Sequence, residues 1–260
     1  MQNQRDSSIL TVAGLNVFYG NFQAVRDVTF TVQAGEIFGL LGPNGAGKTS
    51  SLSAVEGLLK PHSGEISVAG FNIREQPLRA RANMGVQLQA TSFQPELHVI
   101  EIIRLYAGIY GVSLTNEKLN GILKDIKLED AAGKRFGQLS GGQQQRVSLV
   151  ISTIHDPVLV MLDEPTTGLD PQSRRQLWDR IEGYRENGHA VLLTTHSMEE
   201  AEAVCDRVAI IDHGKIIATN TPQALIDLHR NDPAVISASR KGKITLEDVF
   251  IGLTGKTVRA

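Results

Sequence analysis

A glycine-rich loop carries the residue types that hold nucleotide phosphates. It reads Gly42-Pro43-Asn44-Gly45-Ala46-Gly47-Lys48-Thr49 and continues into Ser50. Glycines let successive backbone N–H groups curl around phosphate oxygens, and the N-terminus of a following helix adds favourable positive charge. Lys48 would reach the β- and γ-phosphates, and the Thr49 hydroxyl would bind Mg²⁺. The loop therefore predicts a nucleotide phosphate site rather than a chance glycine-rich turn.

Two adjacent acids follow a continuous apolar run, Val158-Leu159-Val160-Met161-Leu162. A buried strand would hold Asp163 and Glu164 at the C-terminal edge of a sheet, where open α/β sheets bind ligands. Asp163 would hold Mg²⁺, usually through water, and Glu164 would act as general base on the attacking water. In the alternative, both acids only cap the turn at Pro165. The phosphate loop elsewhere in the chain disfavours that alternative.

A second glycine-rich segment, Ser140-Gly141-Gly142-Gln143, follows Leu139. Ser140 as N-cap with Gln143 three residues later predicts a capping box at the start of a helix. Two glycines in the first helical turn cost about 1 kcal/mol each relative to alanine. That cost makes sense if a ligand must approach the backbone closely, and a γ-phosphate docked on the helix N-terminus would fit.

The elements that must position these residues alternate between strands and helices. The strand predicted at 36–41 runs directly into the phosphate loop and a helix over 48–59, which is the context that such a loop requires. Further strands are predicted at 10–19, 25–32, 65–69, 158–162, 190–194 and 207–212, and helices at 173–185 and 198–204. Strands that alternate with helices imply parallel strands joined by crossovers.

The predicted fold is α/β, with a P-loop NTPase mixed-sheet core, an N-terminal antiparallel β subdomain and an inserted α-helical subdomain. The insertion spans about 92–138, where apolar residues from Val99 to Tyr110 recur at helical spacing. We assign residues 1–232 to one ATPase domain. Residues 233–260 form a tail in which 246–253 is predicted as a short closing helix.

Composition excludes several classes of protein. The net charge of −2 gives no electrostatic footprint for a nucleic acid, so none is expected as a partner. No segment approaches the roughly 18–20 apolar residues that cross a bilayer, and the first residues lack the apolar stretch of a secretory signal. Cys205 is the single cysteine, which suits a reducing cytosol, and we expect it to be a buried residue on a helix.

The motifs together resemble those of the ATP-binding cassette (ABC) ATPases over nearly the whole chain. In family order, Tyr19 resembles the aromatic residue that stacks on adenine, and Gln89 resembles the glutamine that touches Mg²⁺ and the attacking water. Asp170, in Gly168-Leu169-Asp170, resembles the aspartate that contacts the opposite subunit, and His196 the histidine that senses the γ-phosphate. Each has an ordinary alternative: a strand aromatic, a strand-end glutamine, a helix N-cap before a proline, and a strand-end histidine.

The resemblance implies a pair of subunits packed head to tail, with a homodimer expected. ATP and Mg²⁺ held by the phosphate loop of one subunit would then be covered by Ser140–Gln143 of the other. Binding would close the pair and hydrolysis would reopen it. A separate membrane permease would use that motion, which implies a cytoplasmic ATPase bound peripherally at the cytoplasmic face of the cell membrane. The helical insertion is the expected docking surface.

The final run, Leu246-Glu247-Asp248-Val249-Phe250-Ile251-Gly252-Leu253-Thr254-Gly255, resembles the ending of ATPases that serve drug and antibiotic exporters of the daunorubicin-resistance type. This resemblance favours an exporter of drugs, lipids or polysaccharides. An importer ATPase, a soluble ABC-type ATPase acting on nucleic acid or ribosomes, and a plain P-loop kinase or switch are the alternatives. The last of these needs neither Ser140–Gln143 nor a partner subunit.

Overall fold

The computed structural model describes residues 8–87, 93–239 and 242–255. Strands β1 (Ser8–Tyr19), β2 (Phe22–Gln33), β4 (Ser63–Val68) and β5 (Phe71–Asn72) form an antiparallel sheet in the order β2-β1-β4-β5. The predicted N-terminal antiparallel β layer is therefore present. Each of the three predicted strands begins two or three residues earlier than predicted, while β1 ends as predicted, β2 ends one residue later and β4 one residue earlier. Strand β5 is an addition too short to have left a periodic pattern.

A second sheet has six strands in the order β10-β9-β3-β8-β7-β6. Its parallel members are β3 (Ile37–Leu41), β6 (Met84–Gln87), β7 (Leu159–Asp163), β8 (Ala190–Thr195) and β9 (Arg207–Asp212). The edge strand β10 (Lys215–Asn220) pairs antiparallel with β9. All residues of β3, β7 and β8 are buried, as expected of parallel strands covered on both faces.

Ten α-helices lie within the described residues. Three of them connect β6 to its sheet neighbour β7, namely α3 (Val99–Ile109), α4 (Asn116–Asp125) and α5 (Gly141–Thr153). These three pack around an apolar cluster of their own that includes Ile102, Leu123 and Val147. The remaining helices are α1 (Lys48–Val55), α2 (Pro77–Ala82), α6 (Pro171–Glu186), α7 (Met198–Val204), α8 (Pro222–His229), α9 (Pro233–Ala238) and α10 (Leu246–Thr254).

The two sheets pack through aromatic and aliphatic side chains. Phe30 of β2 stacks on Phe38 of β3 with ring centroids 5.3 Å apart and an interplanar angle of 7°. Burial of each such side chain stabilises the fold by roughly 1.5–3 kcal/mol. The packing fixes the antiparallel layer, and with it Tyr19, beside the end of β3 where the phosphate loop begins.

Several predicted boundaries are wrong. Helix α1 ends at Val55 rather than at residue 59, because Gly57 takes a φ of +70° that turns the chain out of the helix. Helix α9 lies in the tail that begins at residue 233, where only the helix at 246–253 was predicted; Pro233 begins this additional helix. Cys205 is buried as predicted but lies just beyond the end of α7, facing Gly39. No helix in the described parts of the chain is long and apolar enough to span a membrane.

Candidate nucleotide site

A cleft of about 210 Å³ opens at the carboxyl end of β3. The phosphate loop forms its floor, and Glu164 borders it from the end of β7. Two exposed aromatic residues, Tyr19 and Phe22, stand at its rim. The residues lining the cleft are Tyr19, Phe22, Ala24, Pro43, Asn44, Gly45, Gly47, Lys48, Thr49, Ser50 and Glu164.

Three glycines shape the loop for different reasons. A Cβ on Gly42 would lie 2.3 Å from the Ile211 carbonyl oxygen, and one on Gly47 would lie 2.6 Å from that of Ala24. Both positions therefore exclude a side chain by close packing. Gly45 instead has a φ of +80° and open space around it. The loop thus turns tightly against the sheets and keeps its outer backbone uncovered.

Lys48 is almost fully buried, and its ammonium group already has partners. Its Nζ donates to the carbonyl oxygens of Gly42 at 2.7 Å and Pro43 at 3.2 Å, and it lies 3.2 Å from Glu164 Oε1. A buried ammonium group requires such partners, since isolated charge in the interior is strongly disfavoured. The structure therefore brings the two predicted residues Lys48 and Glu164 into direct contact.

Glu164 occupies a constrained position at the carboxyl end of β7. Its φ of +50° is rare for a residue with a side chain, and such strain costs about 1–3 kcal/mol. Its backbone N–H is held by the Thr194 carbonyl and hydroxyl oxygens, at 3.2 and 3.1 Å. Its Oε2 accepts from the Thr167 hydroxyl at 3.2 Å and contacts His196 Nδ1 closely. The carboxylate is thus aimed by Lys48, Thr167 and His196 together.

Asp163 and Thr49 offer oxygen atoms of the kind that Mg²⁺ prefers. Asp163 is buried at the last position of β7, where its Oδ1 accepts from the Thr194 hydroxyl at 2.5 Å. Thr49 is exposed and lines the cleft. No cluster of three or more His, Cys, Asp or Glu side chains suited to a metal exists among the described residues. That donor set fits Mg²⁺ shared with nucleotide phosphates, which needs only one or two protein ligands.

A further buried acid, Glu56, lies close enough to Asp163 to feel its charge. Burial, and secondly the Asp163 carboxylate, raise the pKa of Glu56 from 4.5 to about 7. Sequence reasoning missed Glu56, because a single glutamate at the end of a helix carries no pattern.

Tyr19 lies beside the loop, with its hydroxyl 3.3 Å from the Ser50 hydroxyl and about half of its surface exposed. An exposed ring at the rim of a cleft is available for stacking. Phe22, on the other strand of the same hairpin, is also exposed there. Sequence reasoning missed Phe22, although its place three residues after Tyr19 across the Gly20-Asn21 turn was a usable signal.

The segment Ser140–Gln143 is the N-terminus of α5 and forms the predicted capping box. The Gln143 N–H donates to Ser140 Oγ at 3.4 Å, and the Ser140 N–H donates to Gln143 Oε1 at 3.0 Å. No atom lies within 4 Å of a Cβ built on the exposed Gly141. None of these residues borders the cleft of its own chain.

Asp170 is the N-cap of α6, as its position before Pro171 predicts. Its Oδ1 accepts from the backbone N–H groups of Gln172 and Ser173, each at 3.0 Å, and its Oδ2 accepts from the Ser173 hydroxyl at 2.6 Å. Hydrogen bonds from the Ser173 hydroxyl and backbone lower the pKa of Asp170. Like Ser140, Asp170 does not border the cleft of its own chain.

Gln89 lies outside the described residues. Gln87, which could be mistaken for it, is buried at the last position of β6, and its Nε2 donates to the Gln145 carbonyl oxygen at 3.4 Å.

Comparison with protein families matches residues 25–167 to the ABC transporter family. A protein of Burkholderia lata named Nod factor export ATP-binding protein I is 41% identical over 211 residues, covering 80% of this chain and 69% of that protein. A protein of the same name from Cupriavidus metallidurans is 34% identical over 301 residues, covering 97% of this chain and 99% of the relative.

Solved structures agree with this match. One, described as the ATP binding subunit of an ABC transporter, superposes with a TM-score of 0.82 at 29% identity, covering 95% of this chain and 100% of that one. A bacterial ABC transporter cassette solved as a dimer gives a TM-score of 0.72 at 24% identity, covering 82% and 98%, which shows the shared fold. The predicted α/β P-loop fold and the family resemblance are confirmed. The chain therefore belongs to the ABC transporter family and is an ATP-binding ATPase.

Proposed function

We propose that this chain is the ATP-hydrolysing subunit of an exporter, and that two copies close around two Mg-ATP to drive a separate membrane permease. The observation that carries the proposal is the contact of Glu164 with both Lys48 and His196 at the floor of the cleft. A general base must lie within reach of the reacting phosphate, and Lys48 marks where that phosphate binds.

The proposed roles follow from the atoms that each residue presents. Backbone N–H groups within the segment 44–50 hold the phosphates, Tyr19 stacks on the adenine, and Thr49 and Asp163 hold Mg²⁺ together with Gln89. Glu164 polarises the attacking water, while His196, bound to Glu164 Oε2, orients that carboxylate. When bound, Mg²⁺ neutralises the phosphate charge that develops in the reaction.

The positions of Ser140–Gln143 and Asp170, away from the cleft of their own chain, support a site shared between two subunits. Ser140–Gln143 form a helix N-terminus with an open backbone at Gly141, which is suited to an anion. Because these residues and Asp170 do not border the cleft of their own chain, we assign them to the cleft of a second copy. Each site then needs both subunits.

Export and a permease partner are proposed from the relatives and from one surface. The relatives cited above are named for export of a Nod factor. Helix α3 exposes Leu105 and Ile109, and Tyr110 follows them at its C-terminus. This patch of the helical insertion is our candidate contact for the permease. A permease partner would hold the subunit at the cytoplasmic face of the membrane, and no nucleic acid partner is proposed.

Glu164→Gln tests the proposal. A glutamine cannot accept the proton from water, so ATP hydrolysis should fall by about 10²-fold or more, the range associated with general bases. ATP binding should persist, and light scattering should detect a stable ATP-bound dimer.

Lys48→Ala is the matched control, because it removes the other member of the same ion pair. It should prevent both tight ATP binding and dimer formation. Steady ATP hydrolysis by Glu164→Gln would contradict the role of Glu164 as the base. An ATP-bound state that is monomeric at all concentrations would contradict the shared site.

A further inference from the structure

Glu200 is a fully buried acid that the proposed chemistry does not use. It lies in the first turn of α7, directly after the segment that carries His196, and its side chain is 0% exposed. Charged side chains are almost never buried to this degree unless they are paired. No cation lies within ion-pair distance of Glu200 in the described parts of the chain, where all ten ion pairs involve other residues.

The one hydrogen bond of normal geometry to its carboxyl group comes from α6. The indole Nε1–H of Trp178 donates to Glu200 Oε1 at 3.1 Å. The second oxygen, Oε2, is buried without a hydrogen bond of normal geometry to any described residue. An unsatisfied oxygen in this setting costs about 1–3 kcal/mol, and more if the group is charged.

The helix cap shows that the Glu200 side chain is diverted from its ordinary role. The Glu200 N–H donates to the hydroxyl of the N-cap, Ser197, at 3.3 Å. In a complete capping box, the carboxyl group would accept from the Ser197 N–H in return. Here the Thr195 hydroxyl takes that N–H at 2.9 Å. The capping box of this helix is therefore only half formed, and the Glu200 carboxyl group is free to reach α6.

The surroundings of the carboxyl group favour its neutral form. Burial raises the pKa of Glu200, and the nearby negative charge of Glu164 adds to the rise. The hydrogen bond from Trp178 and the nearby hydroxyl groups of Thr195 and Thr166 lower that pKa, but burial outweighs them. A proton on Oε2 would give that oxygen a donor to the Thr195 or Thr166 hydroxyl, which removes the deficit.

The contacts join three functional segments. Trp178 lies on α6, the helix that Asp170 caps. Thr166 follows Glu164 by two residues, and Thr195 directly precedes His196. Glu200 therefore lies between the segments that carry the proposed base, its histidine partner and the aspartate assigned to the opposite subunit.

We propose that Glu200 is a positioning residue for ATP hydrolysis that acts as a neutral carboxylic acid, holding Trp178 against the segments that carry Glu164 and His196. The inference rests on the proposed role of Glu164. The proposal predicts that replacement by glutamine has opposite effects at the two buried glutamates, Glu164 and Glu200. Glutamine removes the charge that Glu164 needs, but it reproduces both the acceptor and the donor of a neutral Glu200.

The test compares Glu200→Gln with Glu200→Ala in the full chain, measuring kcat for ATP hydrolysis and the Kd for ATP. Glu200→Gln should keep kcat within about threefold of the wild type, since its hydrogen bonds persist. Glu200→Ala should lower kcat about tenfold or more, because misplaced catalytic groups lose rate steeply. Its Kd for ATP should change less than about threefold, since the phosphate loop is untouched.

Trp178 provides a second readout, because it is the only tryptophan in the chain. Its fluorescence should shift in Glu200→Ala and remain near that of the wild type in Glu200→Gln. If Glu200→Ala does not fold, Trp178→Phe decides the matter. It keeps an aromatic ring but removes the N–H donor, and it should lower kcat at least about threefold. A wild-type kcat in that variant would overturn the proposal.

Glu199→Gln is the matched control. Glu199 is the exposed neighbour of Glu200, and it too contacts α6, through an ion pair with Arg174 at 3.0 Å. Exposed pairs contribute about 0–1 kcal/mol, so kcat should be unchanged. Wild-type turnover by Glu200→Ala, or a loss in Glu200→Gln equal to that in Glu200→Ala, would overturn the inference. Failure of the proposed function is seen separately, as hydrolysis that persists in Glu164→Gln.

Discussion

Glu56 shows how a single buried carboxyl group links the site to stability. It is 6% exposed at the end of α1, and its pKa is raised to about 7 by burial and by Asp163. The folded chain therefore binds this proton more tightly than the unfolded chain, in which the pKa is near 4.5. Its contribution to stability is most favourable below the unfolded pKa. It declines as the pH rises from about 4.5 to about 7, and is then constant.

Glu56→Gln should accordingly stabilise the nucleotide-free chain in a pH-dependent manner. At pH 8 the free energy of unfolding should rise by about 3 kcal/mol, because glutamine carries no charge to bury. Near pH 4.5 the variant and the wild type should be about equal. Urea unfolding at both pH values measures the difference. The exposed Glu65→Gln is the control, and an equal gain at both pH values would contradict the linkage.

At the residue scale, the sequence predicts side chains that belong to a motif better than those placed by packing alone. Lys48 and Glu164 are recognised by their neighbours in the chain, and the structure brings them together. Glu56 and Glu200 are isolated acids in helices, and only the three-dimensional packing reveals that both are buried near the cleft. The contacts that matter for them join residues far apart in the chain, which a linear pattern does not encode.

At the element scale, one close approach joins β3 to the residue that follows α7. A Cβ on Gly39 would lie 2.7 Å from Cys205 Sγ and 3.1 Å from a methyl group of Val208. The thiol is fully buried, and burial raises the pKa of Cys205. The absence of a side chain at Gly39 therefore lets the helix and the strand pack in direct contact.

Gly39→Ala should destabilise the chain by about 2 kcal/mol, the middle of the range for overpacked cores. Cys205→Ala removes the nearest atom of the clash, so the double variant should recover part of that loss. A double-mutant cycle of unfolding free energies measures the coupling between the two sites. Strict additivity of the two single effects would show that the strain arises elsewhere.

The elements themselves were predictable where burial is uniform. Strands β3, β7 and β8 are apolar runs covered on both faces, and their places follow from that pattern. The α9 segment and β10 were not predicted, because β10 is an edge strand with mixed exposure and α9 is a six-residue helix beginning at a proline. Short elements at the border of a fold depend on tertiary contacts more than on periodicity.

At the scale of the whole molecule, the proposed site is divided between two chains. A mixture of two inactive variants tests this division directly. Lys48→Ala removes the ammonium group of the phosphate loop, and Ser140→Arg places a bulky cation where the γ-phosphate bound by the other subunit would dock. In a mixed dimer, the altered phosphate loop of one chain faces the altered Ser140 segment of the other, so both changes lie in the same site. The second site combines the two unaltered segments and stays intact.

Each variant alone should be inactive, and an equimolar mixture should recover a measurable part of the wild-type rate, because each mixed dimer has one intact site of two. Steady-state ATPase assays of the two proteins, alone and mixed, measure this recovery. Mixing Lys48→Ala with Glu164→Gln is the control. Both residues belong to the cleft of their own chain, so each chain of the mixed dimer carries a damaged cleft and no site is intact. No recovery in the first mixture would contradict the shared site.

The division of the site could be anticipated only through the family resemblance. The capping box at Ser140 and the N-cap at Asp170 are ordinary helix starts, and the structure confirms both local roles. Their local hydrogen bonds do not indicate that a second chain takes part in the site. The exposed backbone at Gly141 is the physical feature that supports the proposed docking of a ligand there.

The contact between Lys48 and Glu164 has a consequence for the resting subunit. While the ammonium group contacts the carboxylate, Lys48 is not free to bind a phosphate oxygen. Under the proposed roles, an incoming triphosphate would take the lysine from Glu164 and so release the carboxylate that acts on water. A nucleoside without phosphates would leave the contact between Lys48 and Glu164 in place.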